Sequence, residues 1–219
     1  MKAIVFDLDG TLVDSAPDIQ AAVNTMLANE GQGPLDLPTV TSFVGNGLPK
    51  LVERVIRHCD MDMAQFDRLV ADTFMIYNTA TSDLTRPYPN MTACLTRLKA
   101  AGYRMAVCTN KPYGPAVHLL LNLKLDSFFE VVIGGDSTAS RKPDPLPLTT
   151  VIAQLGATQV LYVGDSEIDA ETALNAGVPF ALFSQGYRKR PVDEIAHQHL
   201  FSDFDQLFDI ATSALGDPT

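Results

Sequence analysis

Apolar residues fall along this chain in two rhythms. Short, largely apolar runs at residues 3–6, 104–108, 131–133, 160–163 and 180–183 predict strands buried on both faces. Between the later runs lie stretches with helical spacing, so strand and helix alternate. That alternation predicts an α/β fold: a Rossmann-like, doubly wound parallel sheet with helices on both faces. The first interval breaks the rhythm. A whole βαβ unit takes about 30 residues, yet nearly a hundred separate the first run from the second.

The surplus is helical. Ile19, Val23, Met26 and Leu27 share one helical face, and Leu48, Leu51, Val52, Val55, Ile56 and Cys59 keep the i, i+3, i+4, i+7 spacing. Met63, Phe66, Leu69, Thr73 and Tyr77 continue the pattern. The expectation is an α-helical cap domain, residues 16–82, inserted into a core of residues 1–15 and 83–219. Pro17 and the stretch 82–89, with Pro87 and Pro89, are the expected hinges. The core's own crossover helix is then 91–101, with Asn90 as N-cap and Gly102 ending it. Residues 216–219 are expected to fray.

Composition narrows the class. The chain is 46% hydrophobic and 19% charged, which suits a globular protein. No apolar run reaches the roughly 18 residues of a membrane span, and the first acid, Asp7, comes too early for a secretory signal. Cys59, Cys94 and Cys108 form no CxxC pair and leave an odd one over, so reduced thiols and a cytoplasmic location are expected. A net charge of −10 argues against a nucleic-acid partner. An anionic small molecule remains open, because a bound metal and a few cations can reverse the field within one cleft. A monomer or a homodimer fits equally.

Ligands of an open α/β sheet gather beyond the carboxyl ends of its strands. Here those ends carry chemistry. Asp7 and Asp9 follow the first strand, Thr109-Asn110-Lys111 the second, and Gly164-Asp165-Ser166 the fourth, with Asp169 one helical turn on; Arg141-Lys142-Pro143 leads into the fourth. Singly, each has an ordinary explanation: Asp9-Gly10 as a turn, Asp169 closing a capping box with Ser166, Thr109 in a turn, Lys142 on the surface. An EF-hand starting at Asp7 fails, since Leu12 stands at its sixth position and Asp18 at its twelfth. Convergence of all these groups on one sheet edge points to a single site.

The residues DxDGT at 7–11, Thr109, Lys142 and GDSxxD at 164–169 stand in the order of the four motifs of the haloacid dehalogenase superfamily, which the whole chain resembles. The segments "PYPNMTACLTRLKAAGYRMAVCTNKP", "VVIGGDSTASRKPDPLPL", "LYVGDSEIDAETALNAGVPFALFSQGYR" and "FVGNGLPKLVERVI" are similar to its phosphoglycolate phosphatase branch. The resemblance implies that the first strand lies between the second and the fourth. It also implies a Mg²⁺-dependent phosphomonoester hydrolase working through an aspartyl-phosphate, with 2-phosphoglycolate as the foremost substrate. Asp7 would then be the nucleophile and Asp9 the acid–base group. Asp7, Asp165, Asp169 and the Asp9 backbone carbonyl would hold Mg²⁺, and Thr109, Asn110 and Lys142 the phosphoryl group.

Selectivity is expected from the cap. Gly45-Asn46-Gly47 precedes a helix, whose N-terminus suits an anion, and Lys50 and Arg54 follow on it at i, i+4; Asn46, Gly47, Lys50 and Arg54 are therefore candidate substrate residues. The run Arg188-Lys189-Arg190 reads as a solvated loop, and the four histidines sit in no motif. Rival readings remain. A mutase for a small sugar phosphate shares both acids, and a phosphonate hydrolase would use a cap lysine, for which Lys50 is available. A dehalogenase has no need of Asp9, and a receiver-type signalling module is about half this length without an inserted cap.

Overall fold

The computed structural model describes residues 1–79 and 84–217. Part of the expected hinge at 82–89, the expected domain edge at 82/83 and the last two residues lie outside them. The strands are β1 (Lys2–Phe6), β2 (Val13–Asp14), β3 (Arg86–Pro87), β4 (Arg104–Cys108), β5 (Val131–Ile133), β6 (Gln159–Gly164), β7 (Phe180–Phe183) and β8 (His199–Phe201). The helices are α1 (Ala16–Asn29), α2 (Leu37–Phe43), α3 (Leu48–His58), α4 (Phe66–Thr79), α5 (Met91–Ala101), α6 (Tyr113–Asn122), α7 (Leu146–Leu155), α8 (Glu167–Ala176) and α9 (Leu207–Leu215).

Six strands form one parallel sheet in the order β5-β4-β1-β6-β7-β8. By chain order within the sheet this is 3-2-1-4-5-6, the doubly wound arrangement, and strand order reverses beside β1. Register puts Phe6 opposite both Val107 and Val163, so the residues that follow β1, β4 and β6 emerge side by side.

Why the strands read as unbroken apolar runs is clear from the packing. Ile4 and Phe6 face α5, α6 and α9 in one cluster, while Ala3 and Val5 face α7 and α8 in another. Alternate residues thus enter opposite layers, and each fully buried large side chain contributes about 1.5–3 kcal/mol. Helices α1–α4 pack around a third cluster of their own, with Val23, Met26, Val40, Val52, Val55, Ile56 and Leu69 fully or almost fully buried. The chain leaves and re-enters the sheet layer through the small β2–β3 ladder, where Val13 pairs with Pro87 and Asp14 with Arg86. Asp18 ties the same junction by accepting from the Leu84 and Thr85 N–H groups and the Thr85 hydroxyl.

Three features depart from the sequence reading. β8 was not expected, because in a three-residue edge strand only Phe201 is buried and no apolar run forms. α2 carries the β-branched run Thr39-Val40-Thr41, yet Asp36 caps it by accepting from the Thr39 N–H at 2.8 Å and Val40 anchors it in the third cluster. Asn90 stands before α5 but does not cap it. Its backbone is left-handed (φ 63°) and its amide donates instead to Asp203 and Asp205 at 3.0 and 3.1 Å. Among the described residues no helix is long and apolar enough to cross a membrane.

Candidate active site

The ends of β1, β4 and β6 bring three carboxylates together. One oxygen each of Asp7, Asp165 and Asp169 lies within 4.8 Å of the others. Asp165 is held rigidly: Oδ1 accepts from the Thr11 hydroxyl at 2.7 Å and Oδ2 from the Tyr187 N–H at 2.6 Å. Asp169 is fully buried, with Oδ1 accepting from Lys142 Nζ (2.6 Å) and the Tyr162 hydroxyl (2.8 Å) and Oδ2 from the Ser166 N–H (3.2 Å) and hydroxyl (2.7 Å). The capping contact foreseen for Ser166 and Asp169 is therefore one part of a larger network.

Asp7 differs. Its Oδ1 is 2.9 Å from Lys142 Nζ, an ion-pair distance, but lies off hydrogen-bonding geometry and has no hydrogen-bond partner among the described residues. Burial, with Asp169 adding to it, pushes the Asp7 carboxyl up to about 7 against the pull of Lys142. Burial and the neighbouring Asp169 and Asp7 likewise hold Asp165 well above the ordinary carboxylate range. Asp169 is the exception: burial opposes its ionisation, but the Lys142 ammonium and the hydrogen bonds around it hold it low. Asp7 and Asp165 resist ionisation, one buried Asp7 oxygen has no hydrogen bond, and the three carboxylates have a single ammonium, Lys142, among them, so the set has more negative charge than Lys142 offsets. Oxygen ligands of this kind suit a hard divalent cation.

Asp9 is turned away from that cluster. Its Oδ1 accepts from the Ser15 hydroxyl at 2.6 Å and from Lys111 Nζ at 3.0 Å, and Lys111 also bonds the Tyr77 hydroxyl from α4. Although burial opposes its charge, Asp9 and Tyr77 hold the Lys111 ammonium above the ordinary lysine range. Thr109 is buried at the end of β4, and its hydroxyl accepts from the Lys111 N–H at 3.2 Å. The Asn110 side chain stitches three segments, donating to the Gly45 and Lys142 carbonyls and accepting from the Lys142 N–H, each at 3.0 Å.

Two glycines make this closeness possible. A Cβ on Gly10 (φ 86°) would stand 2.6 Å from Asp165 Oδ2, and one on Gly186 2.3 Å from Asp165 Cβ and from the Gly10 carbonyl. Gly186→Ala is expected to cost about 1–3 kcal/mol in urea unfolding by overpacking, and to displace Asp165. An unchanged midpoint would contradict the packing described here.

Between the sheet edge and α1–α4 lies a cavity of about 70 Å³. The core lends it Asp7, Asp9, Thr109, Asn110 and Lys111, and the helical segment Gly45, Gly47, Leu48, Thr73 and Tyr77. Of the four expected substrate residues in that segment, Gly47 lines the cavity. Lys50, 46% exposed, pairs with Glu53 at 2.7 Å and lies outside the lining. Arg54 donates to the Phe43 carbonyl (2.7 Å) and the Asn46 side chain (2.8 Å), so it braces its own loop and occupies Asn46 as well. Of the basic run, Arg190 pairs with Glu194 in solvent and Arg188 bonds the Ser184 carbonyl. None of the four histidines lines the cavity.

Sequence reasoning passed over Tyr77, Tyr162 and Tyr187. Each stood in an apolar or loop pattern, and only the fold shows the hydroxyls of Tyr77 and Tyr162 at Lys111 and Asp169 and the Tyr187 N–H at Asp165. The signal for Lys111 was its place directly after Thr109-Asn110 at a strand end.

A family model described as haloacid dehalogenase-like hydrolase matches residues 4–183. The chain belongs to the haloacid dehalogenase-like hydrolases. Within this family it is 46% identical to a phosphoglycolate phosphatase of Cereibacter sphaeroides (strain ATCC 17025), over 96% of this chain and 97% of that one. It is 42% identical to the phosphoglycolate phosphatase of Rhodospirillum rubrum, over 95% and 90%. The crystal structure of a protein described as a predicted phosphoglycolate phosphatase from Haemophilus somnus 129PT superimposes on this hydrolase with a TM-score of 0.90 at 30% identity, covering 96% and 97% of the two chains.

Proposed function

We propose that this chain is a Mg²⁺-dependent phosphomonoester hydrolase that acts on 2-phosphoglycolate, releasing glycolate and phosphate by way of an aspartyl-phosphate on Asp7. The observation that carries the reading is the Asp7 carboxylate itself: buried beside Asp165 and Asp169, with one oxygen lacking a hydrogen bond, at the wall of a small cavity. The phosphoglycolate phosphatases to which the chain is similar support the choice of substrate. Three free cysteines are in keeping with a cytoplasmic location.

In this reading an Asp7 oxygen attacks phosphorus and the bond from phosphorus to the leaving alkoxide breaks. Asp9, which lines the same cavity, gives that alkoxide its proton. Water then attacks the phosphorus, Asp9 takes the water's proton, and the Asp7 carboxylate is restored. Thr109 and the Asn110 N–H hold phosphoryl oxygens, and Lys142, already between Asp7 and Asp169, adds positive charge where negative charge develops. Asp7, Asp165 and the Asp9 backbone carbonyl would hold Mg²⁺, with Asp169 in reach directly or through water. When bound, the ion supplies the charge that lets a carboxylate approach a phosphate dianion. Helices α1–α4, as a cap, cover one side of the cavity and limit its contact with bulk water.

The direct test is hydrolysis of a panel of phosphomonoesters by purified protein with Mg²⁺, in which 2-phosphoglycolate is expected to lead and absence of phosphate release from every ester would refute the reading. A separate result is expected from the metal. Mg²⁺ should activate and also raise Tm, since an ion bound only by the folded state at 100 times its Kd stabilises by about 2.7 kcal/mol. Ca²⁺ should raise Tm without activating: it gathers about 6–8 oxygens at ~2.3–2.6 Å, against ~2.0–2.1 Å for octahedral Mg²⁺, and would compete for the Asp7 oxygen needed for attack. Full activity in EDTA-treated buffer would contradict this.

A further inference from the structure

Among the described residues lining the cavity there is one cation, Lys111. Its side chain is 3% exposed. The ammonium lies 3.0 and 3.2 Å from the two Asp9 oxygens, bonds the Tyr77 hydroxyl and stands 4.3 Å from the centre of the Tyr77 ring. Much of the wall contributed by the helical segment is apolar, including Ile19, Val44, Leu51 and Phe74. The two basic residues on α3 are engaged elsewhere, Lys50 with Glu53 and Arg54 with Phe43 and Asn46.

We propose that Lys111, steadied by Tyr77 from α4, is the receptor for a second anionic group on the substrate, so that the site selects short phosphomonoesters ending in a carboxylate. The inference rests on the phosphomonoesterase reading above and adds to it the residue that reads the far end of the substrate. A carboxylate entering a cavity walled largely by apolar side chains must be paired and hydrogen-bonded. A lysine ammonium has three N–H donors on a rotatable head, and Tyr77 fixes where that head stands. Asp9 keeps its Ser15 hydrogen bond when one of its oxygens yields to the substrate. Lys142 offsets charge on the Asp7 side; on the Asp9 side a substrate carboxylate would meet the Asp9 carboxylate unpaired without Lys111.

The test compares 2-phosphoglycolate with 2-hydroxyethyl phosphate, of similar size but without the carboxylate, in the wild type, Lys111→Met, Lys111→Arg and Tyr77→Phe. In the wild type, kcat/KM should favour phosphoglycolate by about 10- to 10²-fold, the worth of a hydrogen bond to a charged group that 2-hydroxyethyl phosphate lacks. Lys111→Met should bring that ratio near one, chiefly through KM for phosphoglycolate. Lys111→Arg should keep most of the ratio, and Tyr77→Phe, which retains the ring, should reduce it severalfold. A ratio in Lys111→Met within about twofold of the wild-type value would overturn the proposal, whatever the absolute rates. If Lys111→Met does not fold, the Tyr77→Phe ratio decides in the same way. A wild type that hydrolyses both esters equally refutes this inference alone; one that hydrolyses neither refutes the phosphomonoesterase reading and this inference with it.

Discussion

Asp7→Asn is expected to lower turnover on the order of 10⁶-fold, the scale of losing a covalent nucleophile, while the protein stays folded. Asn matches Asp in size but cannot attack phosphorus, and it offers a cation one neutral oxygen in place of a charge. The effect on stability has the opposite sign from a usual buried-ion deletion. Asp7 shares its pocket with Asp165 and Asp169, and burial raises its carboxyl to about 7. An acid whose pKa is higher folded than unfolded binds more protons in the native state, so stability falls as pH rises from about 4 through 7. Metal-free Asp7→Asn should therefore melt at or above the wild type at pH 8, and the difference should shrink toward pH 4. Lys142 keeps Asp169 as a partner in the variant. The Tm gain from Mg²⁺ seen in the wild type should weaken. Ordinary phosphatase activity in Asp7→Asn would remove it from the role of nucleophile.

Asp9→Asn carries the second large effect, roughly 10²–10⁴-fold, the usual worth of a positioned acid–base group. What distinguishes it from Asp7→Asn is where the loss falls. The Asp9 carboxylate faces Ser15 and Lys111, outside the three-carboxylate cluster. Half-maximal activation should thus occur at the same Mg²⁺ concentration as in the wild type, while both proton transfers slow. With an activated leaving group the first step needs no acid, so breakdown becomes limiting and phospho-enzyme accumulates. Rapid-quench kinetics read this directly. A large rise in the Mg²⁺ requirement with unchanged kcat would instead make Asp9 a side-chain ligand.

Much of this was legible in the sequence because the relevant signals are local. Strands buried on both faces show as apolar runs, which is why β1, β4, β6 and β7 could be read, and the half-buried edge strand β5 keeps the same Val-Val-Ile run. α3 shows as unbroken helical periodicity and α4 as a slightly less regular one. Asp7, Asp165 and Asp169 could be grouped because ligands collect at strand ends, a property of topology rather than of any pair of residues. What stayed hidden depends on direction. Arg54 sits at the expected helical position, but periodicity does not say that its guanidinium turns back on Phe43 and Asn46. Tyr77 fits an apolar stripe, and its hydroxyl meets Lys111 only once α4 lies over β4's end. Tyr162 reads as one more strand residue, yet its hydroxyl donates to Asp169 in the fully buried network around Lys142.

The account turns on a phosphoryl group passing through Asp7. The measurement that tests this most directly is acid quench of the Asp9→Asn variant during turnover with Mg²⁺ and an aryl phosphate, followed by peptide mass spectrometry. The account predicts the added mass of one phosphoryl group on the peptide containing Asp7, formed before phosphate is released and lost once the substrate is exhausted. Phosphate released with no phosphorylated peptide at any time, or a phosphoryl group on a different residue, would contradict it.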